Sequence, residues 1–378
     1  ECMETMPDLR ANNAEAGYLA GLEKKIRAVE GRLIKSELGT AAFVVSAGLV
    51  LRLGIATTAL AGAALLVKGE LDVLTFFMFL LVVSRLYDPL EGTLQNLAAI
   101  IGTNTNIERM NEILDCPVQT GSEELTNQDC DIVFEHVGFS YQSGETVLKN
   151  VSFMAKQGQV TALVGPSGGG KTTISRLAAR FWDIDRGRIT VGGMDISGID
   201  PEKLMSKISV VFQNVYLFQD TIEANIRYGK ENATHEEIVA AAKLAHCHEF
   251  IRKLPDGYQT MVGEGGSTLS GGEKQRISIA RCLLKDAPII ILDEATASVD
   301  PGNEHLIQQA ISELTRGKTI ITIAHRLATI QNAGQILVVE DGRIVQQGTH
   351  AQLAGEEGLY RRFLAIRRQA EGWRITAE

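Results

Sequence analysis

From residue 38 to residue 67 the chain is almost wholly apolar, interrupted by Arg52, and after Lys68-Gly69-Glu70 a second apolar stretch runs from 71 to about 90. A helix needs about 20 apolar residues to cross a bilayer, and a soluble core helix rarely stays apolar on every face for that long. Two membrane spans, over about 38–67 and 71–92, are therefore expected. Ahead of them Leu19, Leu22, Ile26, Val29 and Leu33 recur at steps of three and four with charges between. That spacing predicts a helix over about 10–37 with one narrow apolar stripe. Its narrowness and mixed charges suit packing against neighbouring helices in the cytosol, with a membrane-surface helix as the alternative.

The pattern changes after the second span. An extension reaches residue 112, and residues 113–131, with Pro117, Gly121, Ser122 and several acids, hold no sustained period and read as a linker. Beyond it short β-type runs at 132–139, 147–153, 160–164, 289–292 and 319–323 alternate with helical stretches. Alternation of this kind indicates an α/β domain around a partly parallel sheet, placed at 132–370.

Charge adds orientation. Lys24, Lys25, Arg27, Arg32 and Lys35 precede the first span, whereas the link between the spans holds only Lys68. Basic residues near membrane ends stay on the cytoplasmic side, so both outer ends are expected there, with a tight hairpin outside. At 1.5 Å per residue Arg52 and Arg85 lie at similar depth, about 21–23 Å from the outer ends of a core about 30 Å thick. Two readings stay open: a cationic patch for an anionic substrate, or Arg85 paired with Asp88 while Arg52 snorkels.

Composition narrows the class only a little. With 378 residues and 45% hydrophobic content the chain has room for two or more domains, and a net charge of -9 argues against a nucleic-acid partner. The five cysteines are an odd number without metal-site spacing, and read as reduced, mostly buried thiols. No signal-peptide pattern opens the chain.

The chemistry lies in ordered motifs. The run at 160–164 leads into Gly165-Pro166-Ser167-Gly168-Gly169-Gly170-Lys171-Thr172-Thr173 and then a helix. Glycines let backbone N–H groups close around phosphates, the helix N-terminus adds positive potential, Lys171 reaches the β- and γ-phosphates, and the Thr172 hydroxyl ligates Mg²⁺. Apolar 289–292 ends in Asp293 and Glu294. Such a pair divides into a holder of Mg²⁺ and its waters and a general base for the attacking water. Ser270, Gly271, Gly272 and Glu273 open a further helix and can also present N–H groups and a hydroxyl to an anion.

The run Leu269-Ser270-Gly271-Gly272-Glu273 resembles the signature segment of ABC ATPases, with Glu273 where glutamine is common. The resemblance implies that this segment faces the γ-phosphate held by a partner's phosphate loop. It also implies roles for four single residues: Tyr141 as the aromatic under adenine, Gln213 touching Mg²⁺ or the attacking water, Asp300 in the loop that crosses to the opposite site, and His325 contacting the γ-phosphate. These motifs occur in the family's order from Tyr141 to His325, and imply ATP and Mg²⁺ as ligands and a helical subdomain at about 214–287.

Spans fused ahead of such a motor resemble exporter-type half-transporters. The implied fold is the α-helical end of a transmembrane domain followed by an α/β P-loop ATPase domain. Such proteins carry six spans per half, so a C-terminal piece of a longer chain is expected. The implied function is ATP hydrolysis in a dimer, with an identical or different half-transporter, coupled to translocation of an unidentified substrate. The implied setting is the lipid bilayer, in a bacterial inner membrane with the motor in the cytoplasm. An exporter-shaped importer of an anionic or metal-chelate, siderophore-like compound is the alternative. A soluble ABC ATPase and a subunit with a dead site are the rival classes, disfavoured by the spans and by Glu294 and His325.

Overall fold

The computed structural model describes residues 6–126, 129–141, 144–293, 301–324 and 327–371. Two compact units divide between Pro117 and Val118.

The first unit is helical. A short α1 (Met6–Ala11) precedes α2 (Glu15–Val67), and α3 (Val73–Leu114) follows a turn closed by Gly69 at φ +76°. Asp72 caps α3, accepting from Leu74 N at 3.1 Å. Unlike the two segments read from the sequence, 10–37 and 38–67 share one unbroken helix from residue 15. Its 53 residues make about 80 Å, more than twice a hydrocarbon core of about 30 Å. None of its most apolar window is buried, so α2 is long and apolar enough to cross a membrane and is no core helix of this unit. On α3 the apolar stretch is Val73–Tyr87, shorter than the 71–92 read from the sequence, with Pro89 just beyond. The two long helices meet where side chains are absent. A Cβ on Gly54 would lie 2.0 Å from Tyr87 Oη, and one on Gly62 2.5 Å from the Phe76 ring.

The second unit is built on two sheets. β1 (Ile132–Ser140), β2 (Thr146–Ala155), β4 (Arg186–Val191) and β5 (Met194–Asp195) form an antiparallel sheet in the order β2-β1-β4-β5. Its inner face carries Phe134 stacked on Phe153, with ring centroids 4.5 Å apart. The larger sheet has the order β10-β9-β3-β8-β7-β6, from β3 (Val160–Val164), β6 (Ile208–Val211), β7 (Ile289–Asp293), β8 (Thr319–Ile323), β9 (Gln335–Glu340) and β10 (Arg343–Gly348). All its pairings are parallel except β9 with β10. Parallel strands buried on both faces read as continuous apolar runs, which is why β3, β7 and β8 stand out in the sequence.

Helices cover these sheets. They are α4 (Lys171–Ala178), α5 (Pro201–Ser206), α6 (Ile222–Arg227), α7 (His235–Leu244), α8 (His248–Lys253), α9 (Gly271–Lys285), α10 (Pro301–Thr315), α11 (Leu327–Gln331), α12 (His350–Gly355) and α13 (Leu359–Glu371). Ile226, Ile238, Ile251 and Ile277 put α6 to α9 into one apolar cluster that continues into Val211 and Ile290 of the large sheet. The aperiodic stretch before β1 is fastened to this unit: Arg180 Nη2 donates to Thr120 O at 2.8 Å, and a Cβ on Gly121 would lie 2.1 Å from Ile199 O.

Candidate nucleotide site

The carboxyl ends of β3, β6, β7 and β8 point the same way because these strands pair in parallel. Crevices beyond such strand ends are where open α/β sheets bind ligands. Four of the sequence motifs follow directly from these four strands.

β3 runs straight into the glycine loop. Gly165 has φ +140° and a Cβ there would lie 2.1 Å from Val339 O, so only glycine lets the loop rest against β9. Gly342 N donates to Gly169 O at 3.1 Å, and Lys149 N donates to Gly342 O at 2.8 Å, which pins the loop between β2 and the β9–β10 turn. Gly170, at φ +104°, begins α4 without a side-chain cap. The first-turn amides are thus left to an anion instead of a serine or aspartate. Ser167 and Gly168 are exposed at the loop tip, Gly169 is buried, and Thr172 is half-buried on the first turn of α4. Lys171 is 7% exposed and donates from Nζ to Gly165 O at 3.0 Å and Pro166 O at 2.7 Å, which holds its ammonium against the loop. A cradle lined by amides and closed by an ammonium fits a polyphosphate.

The other strand ends surround it. Asp293, 7% exposed, closes β7 in register with Ile323 of β8, and Ala324 N donates to Leu163 O at 3.1 Å, joining the ends of β8 and β3. The buried Asp293 carboxylate at this strand end and the Thr172 hydroxyl on the first turn of α4 are oxygen donors of the kind that suits Mg²⁺. Gln213 is exposed just beyond β6. Glu294, Asp300 and His325 lie outside the described residues. Tyr141 follows β1, shares a hydrogen bond between its Oη and Thr173 Oγ1 at 3.1 Å, and meets Trp182 edge-on with centroids 5.3 Å apart. It is therefore held beside the first turn of α4.

Ser270 caps α9. Its Oγ accepts from Glu273 N at 3.4 Å while Ser270 N and Oγ both lie 2.8 Å from Glu273 Oε2, a reciprocal capping box. Gly271 is exposed and Gly272 buried. Among the described residues no hydrogen bond joins this segment to the glycine loop.

Three residues that sequence reasoning passes over tie these parts together. Gln275, 4% exposed on α9, donates to Phe212 O at 3.3 Å, linking the signature helix to the residue before Gln213. Trp182 braces Tyr141. Arg281 donates from Nε to Asn225 O at 2.5 Å and from Nη1 to Tyr216 O at 3.0 Å, with its Cζ 5.8 Å from the Phe218 ring and 5.9 Å from that of Tyr228. Burial lowers the pKa of this guanidinium from the ordinary arginine value. A polar residue on the buried face of a helix was the signal for Gln275; the others depend on loops that pattern does not place.

Residues 148–297 match the family model described as ABC transporter. Through this domain the chain belongs to the ABC transporter family. The ATP-dependent lipid A-core flippase of Legionella pneumophila (strain Philadelphia 1) is 42% identical over 321 residues, which is 84% of this chain and 54% of that protein. The human ATP-binding cassette sub-family B member 6 is 42% identical over 358 residues, 92% of this chain and 42% of that protein. A solved structure of a bacterial Atm1-family ABC exporter with ATP bound aligns with TM-score 0.89 and 34% identity, covering 100% of this chain and 66% of that one. The chain thus spans about half the length of the curated relatives it matches. The fold is that of an exporter-type half-transporter, with a helical part followed by the ATP-binding α/β domain. The relatives' descriptions speak of a flippase and an exporter, which goes against the importer alternative.

Proposed function

We propose that this chain is the ATP-hydrolysing subunit of an exporter-type ABC transporter, working as a dimer with an identical or a different half-transporter. The observation that supports this reading best is the convergence of the glycine loop, Asp293 and the Gln213 segment at one end of the large sheet. Adenine stacks on Tyr141, and the N–H groups of Gly165 to Thr173, with Lys171, hold the β- and γ-phosphates. Thr172, Gln213 and Asp293 would hold Mg²⁺, which when bound neutralises phosphate charge. Glu294 takes the proton of the attacking water, and His325 contacts the γ-phosphate.

Ser270 to Glu273 and Asp300 complete the partner's site, which couples hydrolysis to dimer opening. In the first unit α2 and α3, the latter with its apolar stretch at Val73–Tyr87, cross the bilayer of a bacterial inner membrane, and the ATPase unit lies in the cytoplasm. The exposed stripe of Leu19, Ile26, Val29 and Leu33 packs there against neighbouring helices.

The test is ATP turnover and ATP binding by the purified chain in detergent. Lys171→Ala is expected to abolish both. Glu294→Gln should keep ATP bound while lowering turnover by about 10²-fold or more. Turnover at the normal rate in Glu294→Gln would remove the assigned base, and recovery of the protein from the soluble fraction of cells would remove the membrane assignment.

A further inference from the structure

The capping box on α9 does more than close a helix. Ser270 has one hydroxyl proton, and Oγ lies 2.8 Å from Glu273 Oε2, the same oxygen that accepts from Ser270 N at 2.8 Å. A carboxylate can only accept, so the serine must be the donor of the Oγ to Oε2 bond. The hydroxyl proton is then committed to Glu273, and toward an approaching anion Ser270 turns lone pairs. The carboxylate also places a full negative charge on the first turn of a 15-residue helix, where the N-terminal potential would otherwise attract phosphate. Two effects of one side chain therefore oppose the segment's proposed contact with the γ-phosphate.

Glutamine at the same position would act differently. Its carbonyl oxygen can still accept from Ser270 N, preserving the cap. The bond to the hydroxyl becomes a neutral one, roughly half as strong as a charge-assisted bond, and the amide NH₂ adds donors.

We propose that Glu273 is a positioning residue that holds the Ser270 hydroxyl away from nucleotide, so that it weakens ATP-driven closure of the dimer without affecting ATP binding to the open subunit. The proposal rests on the composite-site reading above. It makes Glu273 a brake on closure: the serine must release the carboxylate before it can donate to a phosphate across the interface.

The experiment compares Glu273→Gln with the unsubstituted protein, both in a Glu294→Gln background that retains ATP. Closure is followed by distance-sensitive fluorescence between two ATPase units, and open-subunit affinity with a fluorescent ADP analogue. Glu273→Gln is expected to lower the ATP concentration for half-maximal closure about fivefold, with unchanged analogue affinity. The gap should shrink as salt rises from about 0.05 M to about 0.5 M, because part of the effect is charge repulsion. Glu273→Ala, which removes carboxylate and cap together, reports through its melting temperature whether α9 still folds.

Closure at the same or a higher ATP concentration in Glu273→Gln would overturn the brake. A purely structural Glu273 predicts that result, since glutamine retains the cap. If neither protein closes with ATP, the composite-site reading itself fails, and the brake with it.

Discussion

At Gly165 the backbone sits at φ +140°, and Val339 O fills the space where a side chain would begin. Gly165→Ala must therefore strain the backbone and push β9 away, at a cost of about 2–4 kcal/mol. Urea unfolding of the ATPase unit should show the loss, and ATP affinity should fall with it. Gly158→Ala, also at positive φ (+71°) but with open space around it, should lose only about 1 kcal/mol. Equal losses at the two positions would mean that the contact with Val339 does not matter. At this scale the sequence was most informative, since Lys171, Thr172 and Asp293 are of the types that phosphate and Mg²⁺ chemistry requires. Val339 was invisible there, because a carbonyl oxygen 174 positions away in the chain has no side-chain signature. The Glu273 departure was legible as a letter, but its grip on the Ser270 proton is a feature of the folded cap.

Among the elements, the two long helices of the first unit meet at Gly54 and Gly62, where Tyr87 and Phe76 occupy the missing side-chain positions. Small residues let helix backbones approach closely in a membrane, where dispersion and packing replace the hydrophobic drive. Gly62→Leu is expected to lower the melting temperature of the detergent-solubilised protein by several degrees, measured by loss of its size-exclusion peak on heating. Gly31→Leu, with nothing within 4 Å, should leave that temperature within about a degree. A matching drop at Gly31 would point to a general effect of leucine.

The elements that were easy to read are those with strong local pattern: α2, and the apolar strands β3, β7 and β8. The strands β4, β5, β6, β9 and β10 fall outside the β-type runs marked in the sequence. β10 is an edge strand rich in glutamine, with alternating half-buried and exposed positions, and β6 has only four residues. β9, with Ile336-Leu337-Val338-Val339, and β6 do carry local apolar runs of the buried-strand kind, whereas β10 takes its strand character from the hydrogen bonds that β9 supplies.

For the whole ATPase unit, stability is linked to pH through buried thiols. Burial pushes the Cys282 thiol up to about 11 and the Cys247 thiol up to about 12. In the unfolded chain such thiols titrate near 8.5. Between about pH 9 and 11 the unfolded state therefore binds fewer protons than the folded one, and stability falls as pH rises. Each thiol contributes a slope of up to about 1.4 kcal/mol per pH unit in that window. Urea unfolding at pH 8 and at pH 10.5 should show the decline, and Cys282→Ala should flatten it; an unchanged slope would mean that Cys282 is not protonated in the folded state.

By itself the sequence determined the class of chemistry and a segment long and apolar enough for a membrane. Both are local properties: a phosphate loop needs adjacent glycines and a lysine, and a spanning helix needs an unbroken apolar run. Only the tertiary structure decided which strands are neighbours. The order β10-β9-β3-β8-β7-β6, with β3, β8, β7 and β6 parallel, brings residues near 165, 211, 293 and 323 to one end of the sheet. Strand order depends on long-range packing and pairing, whose energy is spread over contacts that no stretch of sequence holds alone.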